Sequence, residues 1–139
     1  MQQSAGYAII DNERKAVLCV RAYANWDFPK GHLEAEETHR EAATREVMEE
    51  VSLLNGEDYV DIGTAPVAVT YGKGKSHKTA TYFLADCVSD KEPFCPVNPE
   101  LGKPENDEWR WVEFDDLVGL MPERLQPVVD RILDWVGYQ

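Results

Sequence analysis

Apolar positions along this 139-residue chain fall into short runs separated by turn-forming residues. The runs at 4–10 and 16–22 flank Asp11-Asn12-Glu13, which predicts two strands joined by a turn. Between 38 and 54 the spacing changes. Ala42, Ala43, Val47, Val51 and Leu54 recur every three or four positions, the stripe of a helix with one face on the core. Thr38 followed by Glu41 is a capping-box pattern and sets the helix start at Thr38. Segments 59–71 and 78–88 are apolar and β-branched, and the Gly-containing loop between them predicts a long hairpin. Residues 108–114 predict a further short strand, 115–120 a helical turn, and 123–136 a last helix. Pro127 suits that helix only in its first turn. Mixed strands with a helix on each side predict an α/β chain, folded as an α/β/α sandwich in one domain over 1–139.

The stretch 89–106 fits none of these patterns. It holds Pro93, Pro96, Pro99 and Pro104, half of the eight prolines. A loop this long in a compact domain is usually functional or disordered. It runs straight into the acidic segment 105–108, so it reads as a candidate lid over a site.

Composition changes the picture mainly through charge. Hydrophobic residues make up 43% and aromatic residues 10%, ordinary for a soluble globular protein. No apolar run approaches the roughly 20 residues that span a bilayer. The N-terminus MQQSAGYAII lacks a signal-peptide pattern. Cys19, Cys87 and Cys95 are odd in number and lack metal-type spacing. Together these predict a cytoplasmic protein with reduced thiols and no membrane partner. The net charge of −12 argues against a duplex nucleic-acid binder, which would carry a basic footprint. Of the 26 acidic residues, seven lie in 31–50 and six in 105–116. A site so negative needs a cation before it can hold a polyphosphate. Lys73, Lys75, His77 and Lys78 form a small basic loop that either receives phosphates or is a solvated hairpin tip.

The candidate chemistry lies on the helix. Glu46, Glu49 and Glu50 stand at i, i+3 and i+4, on one face. Like charges so placed repel by about 0.2–0.5 kcal/mol per pair, a strain that a cation between them would relieve. Hard divalent ions such as Mg²⁺ take oxygen ligands of this type. Three glutamates alone are equally a solvated acidic face. Upstream, however, Trp26-Asp27-Phe28-Pro29-Lys30-Gly31-His32 is a tight segment able to present backbone carbonyls and a lysine to the same ion.

Residues 31–53 resemble the Nudix box, with Gly31, Glu37, Arg45, Glu46, Val47, Glu49, Glu50 and Leu53 in register. One position departs: Ser52 stands where the family has glycine. Serine in the left-handed conformation of a helix end costs on the order of 1 kcal/mol; otherwise the helix runs on to Asn55-Gly56. The resemblance implies a Nudix-type α/β/α sandwich with a mixed central sheet. It also implies Mg²⁺- or Mn²⁺-dependent hydrolysis of a nucleoside diphosphate linked to another group. Glu46, Glu49 and Glu50 match the family's metal positions, and the Lys30 carbonyl matches a further ligand of some members. Arg45 and Glu37 match supporting positions. The base in different branches is a box glutamate or a later one, here Glu46 or Glu105, with Glu108 as a backup. Glu50 is included in the catalytic set and Glu105 among the metal ligands.

The segment from Trp26 to Glu34 and the strand Lys78-Thr79-Ala80-Thr81-Tyr82-Phe83-Leu84-Ala85 are similar to the asymmetrical diadenosine tetraphosphate hydrolase branch. Tyr82 falls where that branch stacks an adenine. His32, Lys78 and Arg21 would contact phosphates beside Lys30 and Gly31. The implied activity is cleavage of diadenosine tetraphosphate to ATP and AMP, by a monomer or weak dimer acting on a small nucleotide. Pyrophosphate removal from RNA 5′ ends is the alternative, followed by diphosphoinositol hydrolysis. A catalytically silent nucleotide sensor is the alternative of another class, and the intact carboxylate set argues against it.

Overall fold

The computed structural model describes residues 2–138. In chain order the elements are β1 (Gln2–Asp11), β2 (Ala16–Ala22), β3 (Asn25–Asp27), β4 (Lys30–His32), α1 (His39–Val51), β5 (Tyr59–Asp61), β6 (Val67–Tyr71), β7 (Lys78–Cys87), β8 (Val97–Asn98), β9 (Lys103–Pro104), β10 (Glu108–Glu113), α2 (Phe114–Leu120) and α3 (Gln126–Val136). A short 3₁₀ turn, Glu123–Leu125, leads into α3, and Pro127 lies in its first turn where no N–H is needed.

The main sheet runs β10-β2-β1-β7-β5, with β3 on β2, β4 on β1 and β6 on β7. β1 and β7 are parallel and the other pairs antiparallel, so the sheet is mixed. Alternation along the central strands sends side chains into two separate apolar layers. Ala5, Tyr7 and Ile9 of β1 meet Ala42, Ala43, Val47 and Val51 of α1. Ala8 and Ile10 join Leu117 of α2 and Val128, Val129 and Ile132 of α3 on the other side. The result is the expected α/β/α sandwich.

Helix α1 begins with the predicted capping box: the Glu41 amide donates to Thr38 Oγ1, and the Thr38 amide to Glu41 Oε1. It ends at Val51, because Ser52 itself takes the left-handed conformation, φ 61° and ψ 32°. Its hydroxyl donates to the Phe94 carbonyl at 2.8 Å, a tie that a glycine could not make and that offsets part of the backbone cost. The sharp turn also exchanges the final position of the stripe. Leu53 is buried, whereas Leu54 is 41% exposed.

The segment 59–71 is two strands rather than one. Gly63 has φ +79° and Pro66 has no amide to give, so the chain leaves the sheet between β5 and β6. Both strands still pair with β7, at opposite ends of it. Strands β3 and β4, three residues each, were not anticipated. β4 packs so tightly on β1 that a Cβ at Gly6 would overlap the Pro29 carbonyl and Lys30, which is why β1 carries glycine there.

Candidate active site

Strand β4 lies beside α1 and brings its backbone against the helix carboxylates. The Lys30 amide donates to Glu50 Oε2 at 3.1 Å. Gly31 is required here: a Cβ would overlap the Glu46 carboxylate. Arg45 holds the surrounding acids in place. Its guanidinium forms a fork to Glu37, Nε to Oε2 at 2.7 Å and Nη2 to Oε1 at 3.0 Å. The same group reaches Glu46 Oε1 at 2.9 Å, Glu49 Oε2 at 3.1 Å and the His32 carbonyl at 2.9 Å. Only arginine offers this many donors in a fixed plane. The hydrogen bond from Arg45 pulls the Glu37 carboxyl down to about 2.

Glu46, Glu50 and Glu105 each offer a carboxylate oxygen within 4.8 Å of the others. The grouping thus draws its third member from the loop before β10 rather than from Glu49, which turns to Arg45 and is half-exposed. Glu46 and Glu50 are buried. Burial pushes the Glu46 carboxyl up, against the pull of Arg45. Burial likewise pushes Glu50 well up, and the nearby charges of Glu46 and Glu105 add to that, against the Asn106 hydrogen bond. Buried carboxylates crowded in this way are stabilised by a cation. Three hard oxygen donors suit Mg²⁺ or Mn²⁺, so the residues present fit such an ion.

Two clefts meet at Glu50 and Glu105, which line both. The larger, about 750 Å³, is walled by Glu46 and Glu49 on the helix and by Pro96 to Glu100 on the proline-rich loop, the segment expected as a lid. The smaller, about 490 Å³, is lined by Asp27, Lys30, Lys78 and Arg124, with Tyr23 from the β2–β3 turn and Asn25 at the start of β3. Lys78 is the only member of the expected basic loop to line it; Lys73, Lys75 and His77 lie on the hairpin tip.

The remaining expected residues fall in different places. His32 is exposed at the end of β4. Arg21 pairs with Asp107 at 3.2 Å and Glu108 at 3.5 Å, fixing the acidic segment to β2. Tyr82 is a correction. It is fully buried in the α3-side layer, with its ring edge-on to Phe28 and its hydroxyl donating to Asp27 at 2.7 Å. No face is free to stack on a base. The side chain instead supports Asp27, which also accepts from Arg124 Nη2 at 3.2 Å. Tyr82→Ala should therefore lower unfolding free energy by about 3–5 kcal/mol in a denaturant titration. A loss under about 1 kcal/mol would contradict that packing role.

Three contributors escaped the sequence reading. Asn106 is buried and donates to Glu50 Oε1 at 2.6 Å. Arg124 stacks on Tyr71 at 4.6 Å and faces the smaller cleft. Tyr23 is 75% exposed at the mouth of that cleft, in a turn where both it and Ala24 have positive φ. A non-glycine pair in that conformation is a flag for function that only coordinates raise.

These features are those of a Nudix domain, and a family model for the NUDIX domain matches residues 1–136. The chain belongs to the Nudix family. Among curated relatives it is 26% identical to an RNA pyrophosphohydrolase of Coxiella burnetii, over 90% of this chain and 60% of that protein. It is 28% identical to the RNA pyrophosphohydrolase of Rhodospirillum rubrum, over 95% of this chain and 84% of that one. The chain thus spans less than two thirds of the length of the Coxiella relative. Its fold matches a C. elegans Ap4A hydrolase binary complex with a TM-score of 0.84 at 20% identity, covering 99% of this chain and 98% of the other. Among the described residues no helix is long and apolar enough to cross a membrane.

Proposed function

We propose that this domain hydrolyses a phosphoanhydride in a dinucleoside polyphosphate, cutting diadenosine tetraphosphate asymmetrically to ATP and AMP. The observation that carries this reading is the junction of two clefts at one carboxylate group. A substrate with bulk on both sides of the broken bond has room on both sides of Glu50 and Glu105.

Glu46, Glu50 and Glu105 would hold Mg²⁺ or Mn²⁺, with the Lys30 carbonyl as a further ligand. A bound divalent ion supplies neutralisation of phosphate oxygens and a water of lowered pKa. Lys30, Lys78 and Arg124 put positive charge on the wall of the smaller cleft, where a polyanion needs it. Arg45 keeps Glu46 in a fixed rotamer, so the ligand cluster is assembled before substrate arrives. Glu105 is exposed at the junction, whereas Glu46 and Glu50 are enclosed. With one oxygen on the ion, Glu105 has its second, solvent-facing oxygen to take the proton of the attacking water.

With Tyr82 enclosed, Tyr23 is the aromatic placed to receive a base. Stacking on such a ring is worth about 1–3 kcal/mol. Tyr23→Ala should raise KM for diadenosine tetraphosphate about tenfold and leave a small pyrophosphate ester unaffected. Equal changes on both would remove Tyr23 from base recognition.

The names of the curated relatives favour a second reading, pyrophosphate removal from triphosphorylated RNA. The net charge of −12 weighs against extended RNA contacts. Turnover with Mg²⁺ should be compared on diadenosine tetraphosphate and a 5′-triphosphorylated RNA, with ¹⁸O-water marking the attacked phosphorus. ATP and AMP as the faster products support the dinucleotide reading. Faster pyrophosphate release from RNA would replace it, and no turnover on either substrate, on nucleotide sugars or on diphosphoinositols would leave a nucleotide-binding sensor.

A further inference from the structure

We propose that Asn106 is the positioning residue for Glu50, holding that carboxylate in the rotamer in which it meets Glu46 and Glu105 where a divalent ion would bind. The inference rests on the metal-dependent reading above and assigns a role to a side chain outside the ligand set. Each oxygen of Glu50 accepts one amide hydrogen bond, from the Lys30 amide at Oε2, 3.1 Å, and from Asn106 Nδ2 at Oε1, 2.6 Å, and the Glu46 carboxyl lies within hydrogen-bonding reach beside them. A carboxylate carries about four lone-pair sites, so the two amide donors fix the rotamer and leave lone pairs on the side shared with Glu46 and Glu105.

The nature of the donors supports this role. The two donors that hold Glu50 are neutral amides, whereas Glu46 and Glu49 are held by the Arg45 cation. A neutral partner orients the carboxylate and leaves its full charge for the ion, whereas Arg45 offsets part of the charge of Glu46. The location of Asn106 fits as well. The Asp107 amide donates to the Arg21 carbonyl at 2.8 Å, and Glu108 pairs with Arg21 in the β10–β2 ladder. The segment is thus fixed to the sheet immediately after Asn106. The residue on its other side, Glu105, is the third carboxylate. Two adjacent residues therefore supply one ligand and the group that aims another. A partner of this kind is typically worth about 10–100-fold in metal affinity or activity.

The test uses Mn²⁺ titration of the whole chain without substrate, followed by steady-state kinetics. Asn106→Leu keeps the branched heavy-atom skeleton and removes the donor, and Asn106→Ala serves if the bulkier leucine does not fold. The expected result is a Kd for Mn²⁺ at least tenfold higher, a similar fall in kcat, and a KM within threefold of wild type. In a Glu50→Ala background the same substitution should change Mn²⁺ affinity less than twofold, because the group it acts through is gone. A lower melting temperature with Mn²⁺ affinity and kcat within threefold would make Asn106 structural only and overturn the proposal. Additive losses of Mn²⁺ affinity in the two backgrounds would overturn it too. Wild-type protein that binds no Mn²⁺ would instead overturn the metal-dependent reading itself.

Discussion

Glu50→Gln should lower kcat by about 10²–10⁴-fold at saturating Mg²⁺, the loss expected when metal-assisted water activation is disabled. The fold should survive. Glu50 is 5% exposed, and burial, the nearby acids and crowding all disfavour its charge in the free protein. Glutamine has nearly the same shape and carries no charge, and Asn106 can turn its amide oxygen toward the new NH₂, so the melting temperature of the metal-free variant should equal or exceed that of wild type. Loss of activity together with unchanged or higher stability marks a group kept for function at a cost to the fold. A variant within threefold of wild-type kcat would remove Glu50 from the chemistry.

Gly31→Ala should cost about 100-fold in kcat, the scale of a 1 Å misplacement at a reacting centre. The added Cβ would occupy the space of the Glu46 carboxylate. That carboxylate has little freedom to yield, because Arg45 Nη1 holds Oε1 at 2.9 Å and the helix backbone fixes the stem. Gly31 is not needed for backbone conformation, since it lies in a strand without positive φ. Circular dichroism of the variant should match wild type. Unaltered kcat would mean that Glu46 does not need its observed position.

Helix α1 was legible because its information is local. The capping box spans four residues, the apolar stripe repeats within two turns, and Arg45 reaches Glu49 at i+4. The end of α1 was legible only as a choice between two outcomes. Which one holds depends on the Phe94 carbonyl, 42 residues away, which accepts from Ser52. Strands β3 and β4 were invisible for a related reason. Three-residue strands have no periodicity to detect, and β4 exists because Gly6 lets it approach β1.

Tyr82 shows where a matched motif misleads. Strand β7 is apolar on both faces, so alternation gives no sign of which side chains point into a cleft. The motif placed a tyrosine at the right sequence position, but the packing of Phe28 and Asp27 closed its ring off. Asn106 was missed for the opposite reason. An asparagine in an acidic loop has no local signature, and its partner Glu50 lies 56 positions earlier.

The central claim is that Glu46, Glu50 and Glu105 jointly bind a divalent ion at the junction of the two clefts. The most direct measurement is a crystal structure with Mn²⁺ and a non-hydrolysable dinucleoside tetraphosphate, with the metal located by anomalous scattering. The predicted result is a manganese peak within about 2.5 Å of an oxygen from each of the three carboxylates, with polyphosphate oxygens on the same ion. Manganese bound elsewhere, or the three side chains turned away from both ion and phosphates, would contradict it.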